Sequence, residues 1–519
     1  MKTCETTSNN LDLLIINPGD RTKLYQNLGK ELAAIEPPVW AGMIATFIRQ
    51  HRFSVQILDA NAENLGPEEV AERTSQLNPL LATVVIYGHH PSATTPTMPA
   101  AGAICMAIKK RSPVQKILMV GGHVAALPER TLREESTDFV CGGEGPYTVL
   151  ELLQAIKSKD KDYQKVRGLW YWKDKTPTST SPAPLVKNLD QEMPGSSWDL
   201  LPMQKYRAHN WHCFGGLKRE PYASLYTTLG CPYHCIFCCI QAPFKPGEKV
   251  MGYKDEVNSY RFWSPESIIG QIDILVNQHG VRNIKFEDEM FVLNDRHVTG
   301  VCDKIIERGY DLNIWAYARI DTCQDHLLDK LRRAGVRWLG FGIESGSEHI
   351  RDVAAKSFGL NDIKKTLEKV RAAGINFGAN FIFGLPEDTF ETMQETLDMA
   401  IDLCPDWANF NCATAFPGSK LYNLAISNGI RLPENWIGYA YHAYETLPLA
   451  TQYVSAGEVL QFRDDAFHTF FTHPKYLNHV EKKFGYETLQ HIKQMTTHRL
   501  KRKYAVPIKH HEVERDEAS

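Results

Sequence analysis

The chain has 519 residues, 43 % hydrophobic and 23 % charged, with a formal net charge of −3. That balance supports an ordinary soluble protein with about three domains' worth of core and excludes the broad basic face of a general nucleic-acid binder. No apolar run reaches the roughly 18 residues of a membrane span, and the opening MKTCETTSNN lacks the basic and apolar regions of a secretory signal, so no membrane and a cytoplasmic location are expected.

In chain order, Leu13–Asn17 is a short apolar run closed by the turn signal Asn17-Pro18-Gly19. Pro37–Gln50 predicts a helix entered through proline. Ser54–Ala60, Thr83–Tyr87, Lys116–Val120 and Asp138–Cys141 predict strands, and Met98–Lys110 and Tyr147–Lys157 predict helices. This alternation gives an α/β fold class, with a doubly wound parallel-sheet (Rossmann-like) domain over residues 1–155. Such sheets bind ligands beyond the carboxyl ends of their strands. The loops there are Gly88-His89-His90, Gly121-Gly122-His123 and Gly142-Gly143-Glu144-Gly145; glycine lets a backbone approach a bulky ligand closely.

Residues 156–220 read as a linker, because Lys173–Pro184 is rich in Pro, Thr, Ser and Lys. Trp170, Trp172 and Trp198 suggest that parts of it pack on a domain. A second alternation fills 221–425. Its strands are expected at Ser224–Leu229, Asn283–Glu287, Asn313–Arg319, Trp338–Ile343, Asn376–Phe383 and Trp407–Phe416, with helices between them. Six such units predict a partial (β/α)6 barrel whose site lies on the loops after the strands. Residues 426–519 are expected to form a small, mostly helical region, with helices over Val459–Phe471 and Glu487–Arg499 and a frayed end at Lys509–Ser519.

Most of the 12 cysteines are scattered singly and read as small buried residues. Four crowd into Cys231-Pro-Tyr-His-Cys235-Ile-Phe237-Cys238-Cys239. The spacing C-x3-C-x2-C suits an iron–sulfur cluster. The alternatives are structural zinc, which takes four ligands and commonly two C-x2-C pairs, and inert buried thiols. No second pair follows. Three thiolates, from Cys231, Cys235 and Cys238, leave one iron of a 4Fe–4S cluster open to another ligand; Cys239 falls outside that set.

The loop resembles the radical S-adenosylmethionine superfamily, whose hallmark is C-x3-C-x-aromatic-C, with Phe237 as the aromatic. The resemblance implies that the open iron chelates the amino and carboxylate groups of S-adenosyl-L-methionine. An electron from a reductant such as flavodoxin or ferredoxin then cleaves the sulfonium, and the resulting 5′-deoxyadenosyl radical takes a substrate hydrogen. It also implies site residues along the barrel. Asp288, then Glu289, are the candidates for the cosubstrate amine. Arg319 is the candidate for its carboxylate, which suits a planar guanidinium. Glu344 and Ser345 are the candidates for the ribose hydroxyls. Phe383-Gly384-Leu385-Pro386 and Phe416-Pro417-Gly418-Ser419 match as turn-shaping segments.

The N-terminal loops resemble the cobalamin-binding domain that precedes the barrel in one branch of that superfamily. Gly121, Gly122 and His123 match its G-G loop, and Gly143, Glu144 and Gly145 its last strand end. Cobalamin mutases carry D-x-H-x-x-G after the first strand; here Asn17-Pro18-Gly19-Asp20-Arg21 has no histidine. This implies a cobalt without a histidine from that motif, which suits methyl transfer. For His123 the plainer reading is a loop residue that bonds backbone or phosphate.

The function implied is cobalamin-dependent radical methylation of an unactivated carbon on a small-molecule substrate. Oxidation, cyclisation or rearrangement with the same cofactors is the alternative, and a non-catalytic corrin or cluster sensor is one of another class. Arg499-Leu-Lys501-Arg502-Lys503 is the one feature that favours nucleic acid, and a solvated tail is its simpler reading. Trp436, Tyr439, Tyr441, His442 and Tyr444 either cap the barrel mouth or, more simply, form the core of the C-terminal region. Cys412 either faces the cavity or, more simply, is buried.

Overall fold

A computed structural model describes residues 11–88 and 90–506; His89 and both polar termini, including the end expected to fray, lie outside the described residues. Seven strands form the first sheet: β1 (Leu13–Asn17), β2 (Val55–Asp59), β3 (Leu81–Ile86), β4 (Ile117–Gly121), β5 (Phe139–Cys141), β6 (Leu169–Lys173) and β7 (Thr176–Ser179). Their order is β2-β1-β3-β4-β5-β6-β7. The first five pair in parallel. Strands β1, β3 and β4 are buried throughout, which is why they read as unbroken apolar runs. The order reverses between β1 and β3, and the crevice of such a sheet opens at that point.

Residues 156–220 are folded, contrary to the linker reading. The hairpin of β6 and β7 extends the sheet in antiparallel fashion. The Thr- and Ser-rich stretch is an exposed edge strand, where a polar composition is usual. Beyond it, Trp198, Met203, Tyr206 and Trp211 are buried in the core shared with the barrel. Tyr206 donates to Asp59 (2.8 Å) on one side, and Trp198 donates to Gln271 (2.6 Å) on the other.

The barrel sheet has six parallel strands: β8 (Tyr222–Leu225), then, after two short strands described below, β11 (Asn283–Phe286), β12 (Asn313–Ala318), β13 (Val336–Glu344), β14 (Asn376–Phe383) and β15 (Trp407–Cys412). They lie in unbroken sequence order, paired in parallel throughout. The first strand stops at Leu225, short of the expected Leu229. Thr228–Gly230 (β9) turns away and pairs antiparallel with Tyr260–Phe262 (β10). Gly230 has a φ of +89°, and a Cβ there would lie 2.2 Å from the Ser259 carbonyl oxygen. Only glycine fits where the chain enters the cysteine loop.

Helices at Pro67–Leu77 and Pro474–Phe484 were not expected from the sequence. The first buries only Val70, Ala71 and Thr74, so its apolar stripe is thin. The last helix, Tyr486–Met495, stops before Arg499. Among the described residues no helix is long and apolar enough to cross a membrane.

Gly121 lies opposite Ile86 in the β3–β4 pairing. A Cβ at Gly121 would lie 2.1 Å from the Ile86 carbonyl oxygen, and two paired strands cannot move apart locally. Gly121→Ala is expected to destabilise the fold by about 1–3 kcal/mol, seen as a lower urea midpoint with an unchanged m-value.

Candidate functional site

A cavity of about 780 Å³ is walled by both sheets. From the first come Asn17, Pro18 and Gly19 after β1, and Tyr87, Gly88 and His90 after β3. From the barrel come Lys285, Glu289, Tyr317 and Glu344, and from the cysteine loop Phe237, Cys238 and Cys239. The strand reversal between β1 and β3 puts the N-terminal half of the cavity at the crevice. Of the three glycine-bearing loops, the one at Gly88 lines the cavity, and those after β4 and β5 do not.

The cysteine loop is fixed by its neighbours. The Cys231 amide donates to Gln241 Oε1 (3.2 Å), Gln241 donates to Glu248 (2.7 Å), and Asn258 donates to the Tyr233 carbonyl (2.8 Å). Cys231 is buried and Cys235 and Cys238 are half-buried. Burial pushes the Cys231 thiol up to about 12 and the Cys238 thiol well above its ordinary value, so each needs a metal to become a thiolate at neutral pH. Zinc holds its thiolates about 2.3 Å from one point, whereas a cluster spreads its ligands over separate irons. A set of three thiols is what a 4Fe–4S cluster with one open iron takes, whereas structural zinc takes four ligands.

The three acids after β11 divide their tasks. Asp288 is fully buried and accepts from the Thr227 amide (2.6 Å), the Thr227 hydroxyl and the Thr228 hydroxyl (2.9 Å). It clamps the turn between β8 and β9 and is not a cavity wall, although it was the first candidate for the cosubstrate amine. Glu289, the second candidate, lines the cavity beside Cys238 and Cys239. Burial raises it to about 8, with Lys285 opposing. Glu287 pairs with Lys285 (2.7 Å), which also pairs with Glu36 of the N-terminal region (3.2 Å). This buried triad was missed; its signal was a lysine in the apolar strand Asn283–Phe286.

Arg319 is buried, holds Asp321 through two hydrogen bonds of 2.9 Å, and stands 3.9 Å over the Tyr233 ring. It therefore touches the cysteine loop. Glu344 lines the cavity with a φ of +69° and pairs with Lys356 at 2.5 Å. Ser345 is turned behind the strand, where its hydroxyl meets Thr396 (3.2 Å) and accepts from the Ser347 amide (3.2 Å). Of that pair only Glu344 reaches the cavity.

His123 is 1 % exposed, lies 3.1 Å from the Thr95 hydroxyl, and packs edge-on against Trp436 at 4.4 Å. Burial pushes it down to about 3. It locks the sheet to the C-terminal segment and lines no part of the cavity. Gly121, Gly122, Gly143, Glu144 and Gly145 are not cavity walls either. Glu144 accepts from Arg261 of β10 (2.7 Å) and from the Val186 amide (2.8 Å), fastening the sheet to the barrel. Tyr439, Tyr441 and His442 line the cavity, as does Cys412, which is also buried. Trp436 covers His123 and Arg130 instead, and Tyr444 is exposed. Tyr439 is also buried in a cluster with Cys239 and Phe416, against which Trp436 and Tyr441 pack, so this group is both core and cavity wall.

The B12 binding domain family model matches residues 27–153, and the radical SAM superfamily model matches residues 225–400. An uncharacterized methyltransferase of Pyrococcus horikoshii is 28 % identical over 470 residues, which is 90 % of this chain and 94 % of that protein. The anaerobic magnesium-protoporphyrin IX monomethyl ester cyclase of Rubrivivax gelatinosus is 27 % identical over 79 % of this chain and 69 % of its own. Among solved structures, the cobalamin-dependent S-adenosylmethionine radical enzyme OxsB superposes with a TM-score of 0.66 at 16 % identity, over 94 % of this chain and 72 % of that one. The radical S-adenosylmethionine methyltransferase TsrM from Kitasatospora setae gives 0.59 at 17 % identity, over 80 % and 74 %. With both family domains matched in order, and the fold shared across them, the chain belongs to the cobalamin-dependent radical S-adenosylmethionine enzymes.

Proposed function

We propose that this chain methylates an unactivated carbon of a small-molecule substrate. The observation that carries the reading is the single cavity walled both by the crevice loops of the B12 binding domain and by the cysteine loop of the radical SAM domain. When bound there, the 4Fe–4S cluster, S-adenosyl-L-methionine and cobalamin supply hydrogen abstraction and a transferable methyl group. The chain supplies placement. Cys231, Cys235 and Cys238 hold the cluster, with Phe237 packed beside them. Glu289 is the partner for the cosubstrate amine, Arg319 for its carboxylate and Glu344 for its ribose. The loops at Asn17–Gly19 and Tyr87–Gly88 receive the corrin. Arg21 lines the same side, and its buried Nη1 has no protein partner, which suits a ligand rich in amide carbonyls. Tyr439 and Tyr441, on the cavity wall, limit the water that reaches it.

A flavodoxin or ferredoxin provides the electron. No described cysteine is paired in a disulfide, in keeping with a reducing cytoplasm. The reading is supported by the Pyrococcus relative, named a methyltransferase, which matches nearly end to end. The test is product mass after anaerobic turnover with methyl-labelled S-adenosyl-L-methionine and cobalamin. Label in the product is expected. Substrate turnover with no label in any product would instead favour a cyclisation or rearrangement.

A further inference from the structure

The cavity wall built by the C-terminal region gathers several cationic side chains around one buried carboxylate. Arg463, on the helix Ala456–Thr472, and Arg502 both line the cavity, with side chains only 6 % and 3 % exposed. Among the described residues their one carboxylate partner is Asp464, 2.7 Å from Arg463 and 2.8 Å from Arg502. Although burial opposes ionisation, the two guanidiniums hold Asp464 down at about 2. Arg463 also donates to the Phe410 carbonyl (2.7 Å), and Arg502 to the Ala443 carbonyl (3.0 Å) and the Thr446 hydroxyl (2.9 Å), but these acceptors are neutral, so among the described residues two cations face one carboxylate in this wall.

The neighbours point the same way. His442 also lines the cavity, and Arg463 Nη2 donates to its Nε2 at 3.2 Å. A guanidinium has only donors, so that nitrogen accepts and the imidazole proton sits on Nδ1. Burial and the two arginines push His442 well below its ordinary value, so it stays neutral and adds a donor. His468 lines the cavity with a buried Nδ1 that has no partner. Arg499, close enough to depress His468, lines the cavity with no carboxylate within 4.0 Å among the described residues. Asp465 shares this wall, but it is exposed and bonded by Gln461 (3.0 Å), so water screens its charge.

We propose that this wall, where Arg463 and Arg502 share Asp464 beside His442, His468 and Arg499, recognises an anionic group, carboxylate or phosphate, on the substrate. The inference rests on the reading that the cavity holds the substrate, and it deepens that reading by naming a substrate class. Both anions accept the paired hydrogen bonds that a guanidinium offers.

The test is calorimetric titration of the full chain, loaded with cluster and cobalamin, using inorganic phosphate, glutarate and, as the uncharged control, glycerol. One of the two anions is expected to bind and glycerol not; which anion binds separates a phosphate ester from a carboxylate. The double variant His468→Ala/Arg499→Gln is expected to lose about tenfold or more in affinity for that anion. Arg499→Lys, which keeps the charge, should restore most of the loss relative to Arg499→Gln. His468 is half-buried and Arg499 exposed, so both variants fold, which circular dichroism verifies. Failure of both anions to bind, or equal binding by the double variant, would overturn the inference. Labelled methyl is read separately: methylation of an uncharged compound without anion binding refutes the wall's role and keeps the methyltransferase, whereas anion binding without methyl transfer keeps the wall and refutes the methyltransferase.

Discussion

Cys235→Ala abolishes reductive cleavage of S-adenosyl-L-methionine: after anaerobic reconstitution, 5′-deoxyadenosine falls to the level of protein-free controls and bound iron drops with it. The argument is one of donors. Three thiols on an eight-residue loop supply the cluster, and losing one leaves two. Cys239, next to Cys238, packs against Phe416 and Tyr439 and is not expected to take its place. Cys239→Ala is accordingly expected to keep its iron. Cys235 is half-buried, so the variant should unfold at nearly the wild-type temperature, which separates lost chemistry from lost fold. Full cleavage by Cys235→Ala would refute the assigned ligand set.

Lys285→Met is expected to destabilise the protein by about 3–5 kcal/mol, the usual cost of breaking a buried ion pair from one side. Lys285 is 1 % exposed, Glu287 3 % and Glu36 7 %, and the lysine lies 2.7 Å from Glu287 and 3.2 Å from Glu36. Two carboxylates face one ammonium. Burial and the neighbouring Glu36 push Glu287 well above the usual carboxylate range, and Lys285 opposes that rise. The ammonium also lies 5.0 Å over the Trp315 ring. Removing it takes away the one cation that bridges Glu36 and Glu287, and leaves Glu36 with His209 at 3.4 Å. Because Glu36 belongs to the N-terminal region and the other two to the barrel, the loss is felt between the domains. The double variant Lys285→Met/Glu36→Gln should recover part of the loss, since it removes one of the stranded acids. Urea midpoints of the single and double variants give the coupling directly, and a loss under about 1 kcal/mol in the single variant would contradict this account.

What the sequence made legible was local. C-x3-C-x-aromatic-C is complete within eight residues, Cys231–Cys238, so its chemistry needs no tertiary information. The parallel strands were legible because burial on both faces writes a continuous apolar run, as in Leu13–Asn17 and Thr83–Tyr87. The choice among Glu287, Asp288 and Glu289 was not legible. Three acids in a row beyond a strand end carry no periodicity to say which one clamps the turn, which pairs with a buried lysine and which faces the cavity. Nor was strand order. The loops after β4 and β5 have the conspicuous glycines, but the crevice lies where β1 meets β3, and that follows from pairing across distant segments. Gly121 illustrates the confusion: a glycine that reads as making room for a ligand makes room for the neighbouring strand. The Thr- and Ser-rich stretch around Thr176–Ser179 has the same composition in a linker as in an exposed edge strand, and only its partner β6 distinguishes them.

The central claim is that the cysteine loop and the crevice loops serve one cavity with both cofactors. Its most direct measurement is anaerobic reconstitution of the wild-type chain with iron, sulfide and cobalamin, followed by 5′-deoxyadenosine assay with a strong reductant. The account predicts equimolar bound cobalamin, a filled 4Fe–4S cluster and formation of 5′-deoxyadenosine from S-adenosyl-L-methionine. A chain with its cluster filled that retains no cobalamin, or that leaves S-adenosyl-L-methionine intact, would contradict it.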